Sequence, residues 1–401
     1  MEPLIQSQGI PYLKGLSGNG IECTLLSFEK PRMQGKDWKE KKNRLKMELK
    51  NSGIDWHILK YHKKPTVPAT AFDICQGIIR GLSIILKKKI DIIHARAAVP
   101  AVMAYILAKI TKKKLICDIR GLMAEEYVDG GMWKENSLLY RITRSCERRI
   151  YSSANGLVVL SENIKDFFIT SSYLLTQRAI KQRNISVIPC CVDTAKFNKE
   201  GNPDRKLSEQ LNLDNKFVFL YSGSLGTWYL FNEMIDFFMT AKKAIHNAHF
   251  LILTAMRKKS LQNALALKKI TCQEITILNT EFENIQNYIR LADVGVFFIK
   301  PAFSKKSSCP IKFAEYLASG LPVIINKGVG DTDKIVENSQ IGVVLKAFTE
   351  DEYSSATAKI LELLKNKERL SEQCVLIANK LFSLEIGISR YSGLYHRVFS
   401  S

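Results

Sequence analysis

Lys312 and Glu315 stand three residues apart in the stretch CPIKFAEYLASGLPVIIN, Cys309–Asn326. Pro310 has a fixed φ and no N–H, so it suits the first turn of a helix, and Gly320 can adopt the left-handed conformation that ends one. A helix starting at the carboxyl end of a parallel sheet presents free N–H groups and a partial positive charge to an anion such as phosphate. Lys312 would add a full charge there, and Ser307 and Ser308 would add donors. Glu315, one turn further in, could accept bonds from vicinal hydroxyls such as those of a ribose. The same spacing also describes an ordinary Lys–Glu pair on a helix surface. A second candidate is YSGSLGTWY, Tyr221–Tyr229. Here Gly223, Ser224 and Gly226 would let backbone amides approach a ligand phosphate, although a plain strand–helix turn also uses one or two small residues.

The elements that must position these residues follow from the hydrophobic pattern. Short β-branched runs alternate with longer amphipathic stretches, which predicts strand–helix units and mainly parallel sheets. In the first half strands are expected within 21–28, 54–60, 90–95, 114–119, 156–161 and 185–189. In the second half they are expected within 217–223, 249–254, 274–279, 294–299, 321–326 and 342–346. With 401 residues the chain has room for two domains. The polar stretch 201–216 marks the boundary region. The helix expected near residues 4–16 is preceded by no strand, so the first strand and glycine-rich turn of a doubly wound sheet look to be missing.

Charge is unevenly spread. Residues 1–190 carry 32 Lys/Arg against 17 Asp/Glu, whereas the remainder carry 27 against 22. A basic first half fits an anionic membrane, a phosphorylated substrate or nucleic acid. No nucleic-acid motif is visible, and the cations are not interleaved with aromatic residues as a stacking surface needs. The basic block 30–53 reads either as an amphipathic helix on a membrane or as a solvated helix with one packed face. No run is as long and apolar as a spanning helix, and no secretory signal is visible, so a cytosolic location is expected. The nine cysteines form no C-x-x-C pair and read as reduced thiols. No metal centre is expected: the histidines are scattered, and Asp331–Asp333 in "DTD" reads as helix capping rather than as a metal-binding pair. His94 ends a strand and reads equally as a cleft residue or as a hydrogen-bonded core histidine.

The order of motifs is more specific than any one of them. A Pro-x-x-Val-Asp crossover (Pro189–Asp193) comes first, and the glycine turn follows the first strand of the second domain. P-x-K-x-x-E-Y-L-A-x-G-x-P-V then comes near the end of that domain. This arrangement closely resembles the retaining glycosyltransferases of family 4, which have the GT-B fold of two Rossmann-like domains facing across a cleft. DIIHARAAVPA (91–101) and DIRGLMAEEYVDGGMW (118–133) resemble a bacterial branch acting in surface polysaccharide synthesis, such as lipopolysaccharide O-antigen or capsule. The resemblance implies an acceptor-side domain at 1–190, a nucleotide-sugar domain at 191–383, and a closing helix at 384–401 that packs back on the first domain.

Carried over by position, it implies that Glu315 contacts the ribose of a nucleoside-diphosphate sugar and that Lys312, Gly223 and Ser224 hold its diphosphate. Two positions depart from the family pattern. A second glutamate, eight residues earlier, is replaced by Ser307, and the charged pair of the glycine turn is replaced near Ser224 and Trp228. Lys312, Arg257 and Lys300 are the cations left to supply the charge. The acceptor-side histidine position falls near Arg120, a poor base, which would pass proton transfer to Asp118, Glu125 or Glu126. The implied activity is metal- and cofactor-independent glycosyl transfer with retention, to a lipid-linked saccharide, by an enzyme peripheral to the inner face of the cytoplasmic membrane. A GT-B nucleotide-sugar epimerase and a basic nucleic-acid-binding protein are the alternatives.

Overall fold

Each of the twelve β-branched runs contains a strand, and every strand pairing is parallel. The structure, a computed structural model, describes residues 7–30, 36–62, 64–174, 184–197, 204–226, 228–255, 274–281 and 284–401. The chain divides into two compact units: Met1–Pro189 with Leu384–Ser401, and Cys190–Ser383.

In the first unit, helix α1 (Ile10–Gly18) leads into β1 (Thr24–Glu29), followed by α2 (Lys36–Asn51), β2 (Asp55–Lys60) and the long α3 (Thr66–Lys88). Next come β3 (Ile92–Arg96), α4 (Ala98–Thr111), β4 (Lys114–Asp118), α5 (Met123–Asp129), α6 (Leu138–Ser153), β5 (Gly156–Val159), α7 (Glu162–Thr170) and β6 (Ile185–Val187). The expected single sheet is instead two, β1-β2 and β3-β4-β5-β6. No described strand lies between β1 and β3, so the hydrogen-bonded ladder is interrupted there; residues 1–6 lie outside the described residues.

The last helix of the chain, Leu384–Phe399, belongs to this unit. It packs so tightly on α1 that a Cβ at Gly15 would lie 2.1 Å from Ile388 Cδ1. Arg390 donates to the Val187 carbonyl at 2.9 Å, which fixes the helix to the end of β6.

The basic segment resolves its two readings. Leu49 of α2 is fully buried in a small core with Ile10, Ile54 and Trp56, and Leu45 packs against it. Leu45 and Leu49 of α2 thus pack inside the unit, whereas Met47 is exposed. One expectation fails: Pro68–Lys88, within α3, is long and apolar enough to cross a membrane, though only a third of it is buried. Asp73, Arg80 and two glycines interrupt the apolar run and hide this length in the sequence.

In the second unit, α8 (Thr194–Phe197) and α9 (Arg205–Gln210) precede β7 (Phe217–Ser222), α10 (Phe231–Ala244), β8 (Ala248–Leu253), β9 (Ile275–Leu278), α11 (Ile285–Ile289) and β10 (Val294–Phe297). A 3-10 turn, Phe303–Ser307, then leads through α12 (Ile311–Ala318), β11 (Val323–Asn326), α13 (Thr332–Ser339), β12 (Gly342–Leu345), α14 (Glu350–Leu364) and α15 (Lys367–Phe382). The strands form one six-stranded sheet in the order β12-β11-β10-β7-β8-β9. Helices on its faces explain why β7, β8, β10 and β11 are almost wholly buried and read as continuous apolar runs. The strand order reverses direction beside β7 and β10, where a doubly wound sheet opens a crevice at its carboxyl edge. The glycine-rich turn after β7 and the start of α12 both lie at that edge.

Candidate active site

α12 begins after Pro310, which takes φ −66° and ψ 122° just before the helix and leaves its first amides without a side-chain cap. It ends at Gly320, in the left-handed region at φ +71°, where a Cβ would lie 2.1 Å from Ser371 Oγ. Lys312 is 4% exposed and Glu315 3%, which excludes an ordinary surface pair.

The Lys312 ammonium lies 3.6 Å over the Tyr229 ring and 4.6 Å from the Tyr221 ring centroid, and it donates to the Tyr221 hydroxyl at 3.5 Å. Burial pulls its pKa down to about 7, against the opposing pull of Glu315. Burial likewise pushes the Glu315 carboxyl up to about 7, with Lys312 opposing and the Cys190 thiol adding to the rise.

Gly223 belongs to the same site. A Cβ there would sit 2.9 Å from Lys312 Nζ, and the residue has φ +133°. The turn is braced from below: Tyr221 donates to the Ser224 carbonyl at 2.6 Å, Tyr316 receives the Ser222 amide at 2.7 Å, and Gly223 N–H bonds to Leu253 O at 2.9 Å. Ser224 and Gly226 are exposed, and nothing lies within 4 Å of a Cβ at Gly226, so packing does not require that glycine. Pairing of Tyr229 with Ile299, and of Lys300 N–H with the Trp228 carbonyl at 2.8 Å, ties the far side of the turn to the end of β10.

The other candidates divide. The Ser307 hydroxyl is buried and donates to Ser304 O at 2.6 Å, so its proton is held within its own 3-10 turn, contrary to the donor role expected of it. The Ser308 amide donates to the Lys305 carbonyl at 3.1 Å, and its side chain is half-buried. Lys300 is exposed, and Arg257 lies outside the described residues. Sequence reasoning missed Lys305: it is buried, and its ammonium lies 3.6 Å over the Trp228 ring at the glycine turn. The signal is the pair of lysines, Lys305 and Lys306, directly before Ser307 and Ser308.

In the first unit, Asp118 ends β4 and is 2% exposed. Arg96 reaches its carboxylate at 2.7 Å, Arg120 at 3.4 Å, and the Tyr391 hydroxyl donates at 2.8 Å. Burial alone would raise its pKa, but Arg96 and Arg120, with His94 and the Tyr391 bond, hold it down at about 2. The carboxylate is thus held ionised and engaged by two arginines and a tyrosine within the first unit. Glu125 is likewise engaged, by Tyr140 at 3.1 Å and Arg144 at 3.1 Å. His94 shares 2.6 Å with the Tyr395 hydroxyl, and burial lowers its pKa. Glu147 was also missed: it is buried, although Arg144, Arg148 and Arg149 are close to it in sequence, and it accepts the Met123 amide at 2.9 Å at the start of α5.

Among the described residues no group of three or more His, Cys, Asp or Glu side chains could hold a metal ion. Asp333 of the DTD triplet accepts the Gly328 amide at 3.0 Å and the Lys334 amide at 2.8 Å. None of the eight described cysteines is in a disulfide, and the Cys190 amide donates to Cys309 Sγ at 3.3 Å.

Two α/β units with parallel sheets, the second with a buried lysine beside a glycine turn at the carboxyl edge of its sheet, are the parts of a GT-B fold. Residues 12–196 match the family described as Glycosyltransferase Family 4, and residues 203–374 match Glycosyl transferases group 1. The chain belongs to the family 4 type of GT-B glycosyltransferases. Similar solved structures include a glycosyltransferase from Rickettsia africae ESF-5, at 17% identity and TM-score 0.70, covering 97% of this chain and 93% of that one. Anabaena HepE in complex with UDP is similar at 14% identity and TM-score 0.67, covering 96% of this chain and 95% of that one. Sucrose-phosphate synthase from Thermosynechococcus elongatus is similar at 15% identity and TM-score 0.67, covering 94% and 99%. No curated protein matches the sequence.

Proposed function

We propose that this glycosyltransferase takes its sugar from a nucleoside-diphosphate donor and transfers it, with retention, to a lipid-linked saccharide in surface polysaccharide synthesis at the cytosolic membrane face. The observation that carries the donor assignment is Lys312: a buried ammonium packed against Gly223, at the edge of the sheet where the uncapped start of α12 also lies. Departure of a nucleoside diphosphate builds negative charge on the leaving phosphate, so stabilising that charge is the main catalytic need. Lys312 and the first amides of α12 provide it, and Lys305 adds a second cation at the same turn. Glu315, in the same helix, accepts the ribose hydroxyls. UDP and UDP-glucose bound to HepE, a protein of similar fold, support a uridine nucleotide as the first donor to try. Front-face attack assisted by the leaving phosphate accounts for retention without a covalent nucleophile. Asp118 then acts by holding Arg96 and Arg120 rather than by moving a proton.

The test is a thermal-shift screen of nucleotide sugars, followed by incubation of the hit with lipid-linked acceptors and assignment of the product's anomeric configuration. Glu315→Ala and Lys312→Ala should each abolish the donor-induced shift. Unchanged donor binding in both variants overturns the site, and an inverted product overturns retention.

A further inference from the structure

An amphipathic helix packed on a sheet is expected to have one apolar stripe, and α3 has two. The inner stripe is Ala69, Gly77, Gly81, Ile84 and Ile85, all buried. Its glycines let α3 lie close against α4: a Cβ at Gly77 would sit 2.2 Å from Met103 Sδ, and one at Gly81 2.6 Å from Leu107 Cδ1.

The outer stripe is Phe72, Cys75, Ile79, Leu82 and Leu86, at alternating spacings of three and four residues. Phe72 is 51% exposed, Ile79 72% and Leu86 69%, so a continuous apolar seam faces away from the protein. Because Gly77 meets Met103 and Gly81 meets Leu107, the exposed Ile110 at the end of α4 lies toward the Leu86 end of this seam.

The charges beside the seam are of one sign. Arg80, Lys87, Lys88 and Lys89 are exposed along and just past α3, as are Lys109 and Lys112 at the end of α4. The one acidic residue of α3, Asp73, is buried and bonded to His62 at 2.6 Å. Asp55 and Asp91 at the same end are already paired, with Lys88 at 3.1 Å and Lys113 at 3.7 Å. A second copy of this chain would offer these lysines no acidic partner along the seam, since the one acid of α3 is buried and bonded to His62. An anionic bilayer instead offers an apolar boundary for the seam and phosphates for the lysines.

We propose that α3 is the membrane-docking element of this enzyme, lying in the plane of an anionic lipid surface with Phe72, Ile79 and Leu86 inserted and Lys87 and Lys89 on headgroup phosphates. The helix has the length to span a bilayer, but crossing one would strip its inner stripe and the buried Asp73 from their partners. The purpose of the docking rests on the lipid-linked acceptor proposed above; the docking itself can be tested without catalysis.

The experiment is co-sedimentation of the full chain with phosphatidylcholine vesicles, with and without phosphatidylglycerol, alongside sizing chromatography. Wild type should bind only the anionic vesicles. Ile79→Asp and Leu86→Asp should each lower the partition coefficient about tenfold or more, while Leu376→Asp, at an exposed apolar position of the other unit, should not. Lys87→Glu with Lys89→Glu should lower binding and flatten its salt dependence. Three results would overturn the proposal: no binding by wild type, equal binding by the seam variants, or a wild-type dimer that Ile79→Asp dissolves. Donor-induced thermal shifts, measured on the same samples, separate the two readings. Seam-dependent binding without a donor shift would refute the proposed function and leave the docking surface standing.

Discussion

Replacing Lys312 with methionine should stabilise the free protein and weaken donor binding at once. Methionine keeps an unbranched apolar stem against Tyr221 and Tyr229 and removes the ammonium. Burial lowers the pKa of Lys312 from 10.5 to about 7. At about 1.4 kcal/mol per pH unit, that disfavours the charged form by roughly 5 kcal/mol at acid-to-neutral pH. Losing the aromatic contacts to the ammonium returns about 2 kcal/mol. A net gain of about 2–3 kcal/mol should raise the Tm of the second unit by about 4–12 °C near pH 6. Against this, loss of a charged hydrogen bond to the diphosphate, about 1.5–3 kcal/mol, should weaken donor binding about 10- to 150-fold.

The pH dependence of stability separates this account from a purely structural one. Between about 7 and 10.5 the unfolded chain binds a proton at Lys312 that the native chain does not, so stability rises with pH across that window. Glu315 has the opposite sign: its carboxyl is raised from 4.5 to about 7, so the native chain holds the extra proton and stability falls as pH rises between those values. The pair therefore places a minimum of apo stability near neutral pH, and Lys312→Met should remove the rising alkaline limb. Calorimetry from about pH 5 to about pH 9, with donor titration at each pH, reads both effects. A Tm that falls in the variant while donor affinity stays unchanged would refute the reasoning and make Lys312 a structural lysine.

Gly223→Ala should cost about 1–3 kcal/mol of stability from the backbone conformation alone, at φ +133°. It should also weaken donor binding by displacing Lys312; denaturant titration and isothermal titration measure the two. Asp118→Asn should destabilise the first unit by about 2–4 kcal/mol, since it leaves the arginines of a buried pair without their charge partner. Because the Asp118 pKa is depressed, from 3.8 to about 2, its contribution is present above the unfolded value and is lost as pH falls through about 2. Acid denaturation of the variant should accordingly lack that step. Donor binding should persist in Asp118→Asn, and lost activity with wild-type stability would restore the carboxylate as a base.

Much of the fold was legible because parallel strands buried on both faces are continuous apolar runs, as in FVFLYS and VGVF. The break between β1 and β3, among the described residues, goes with the expected lack of a first strand, although the sequence did not say that it would split the sheet in two. In the site, Lys312 and Glu315 could be found from the Pro310–Gly320 frame, but their burial could not, since a Lys-x-x-Glu helix reads the same on a surface. Lys305 was hidden because its ammonium lies over Trp228, seventy-seven residues earlier in the chain. The outer stripe of α3 was hidden for the reverse reason: Phe72, Ile79 and Leu86 look like core residues until the glycines at 77 and 81 turn out to make the packed face.

Asp118 and the Lys312–Glu315 pair handle buried charge in opposite ways. Asp118 has its compensation inside the protein, from two arginines and a tyrosine hydroxyl, and is held ionised. Lys312 and Glu315 are buried as deeply, yet each is pushed toward its neutral form because nothing around it fully offsets the loss of water. A charge compensated at home positions its neighbours, whereas a charge left uncompensated gains most when a ligand supplies the partner. A diphosphate beside Lys312 would restore the ammonium's charge and take up protons above neutral pH. Donor binding should then be accompanied by measurable proton uptake at about pH 8, and Lys312→Met should abolish it.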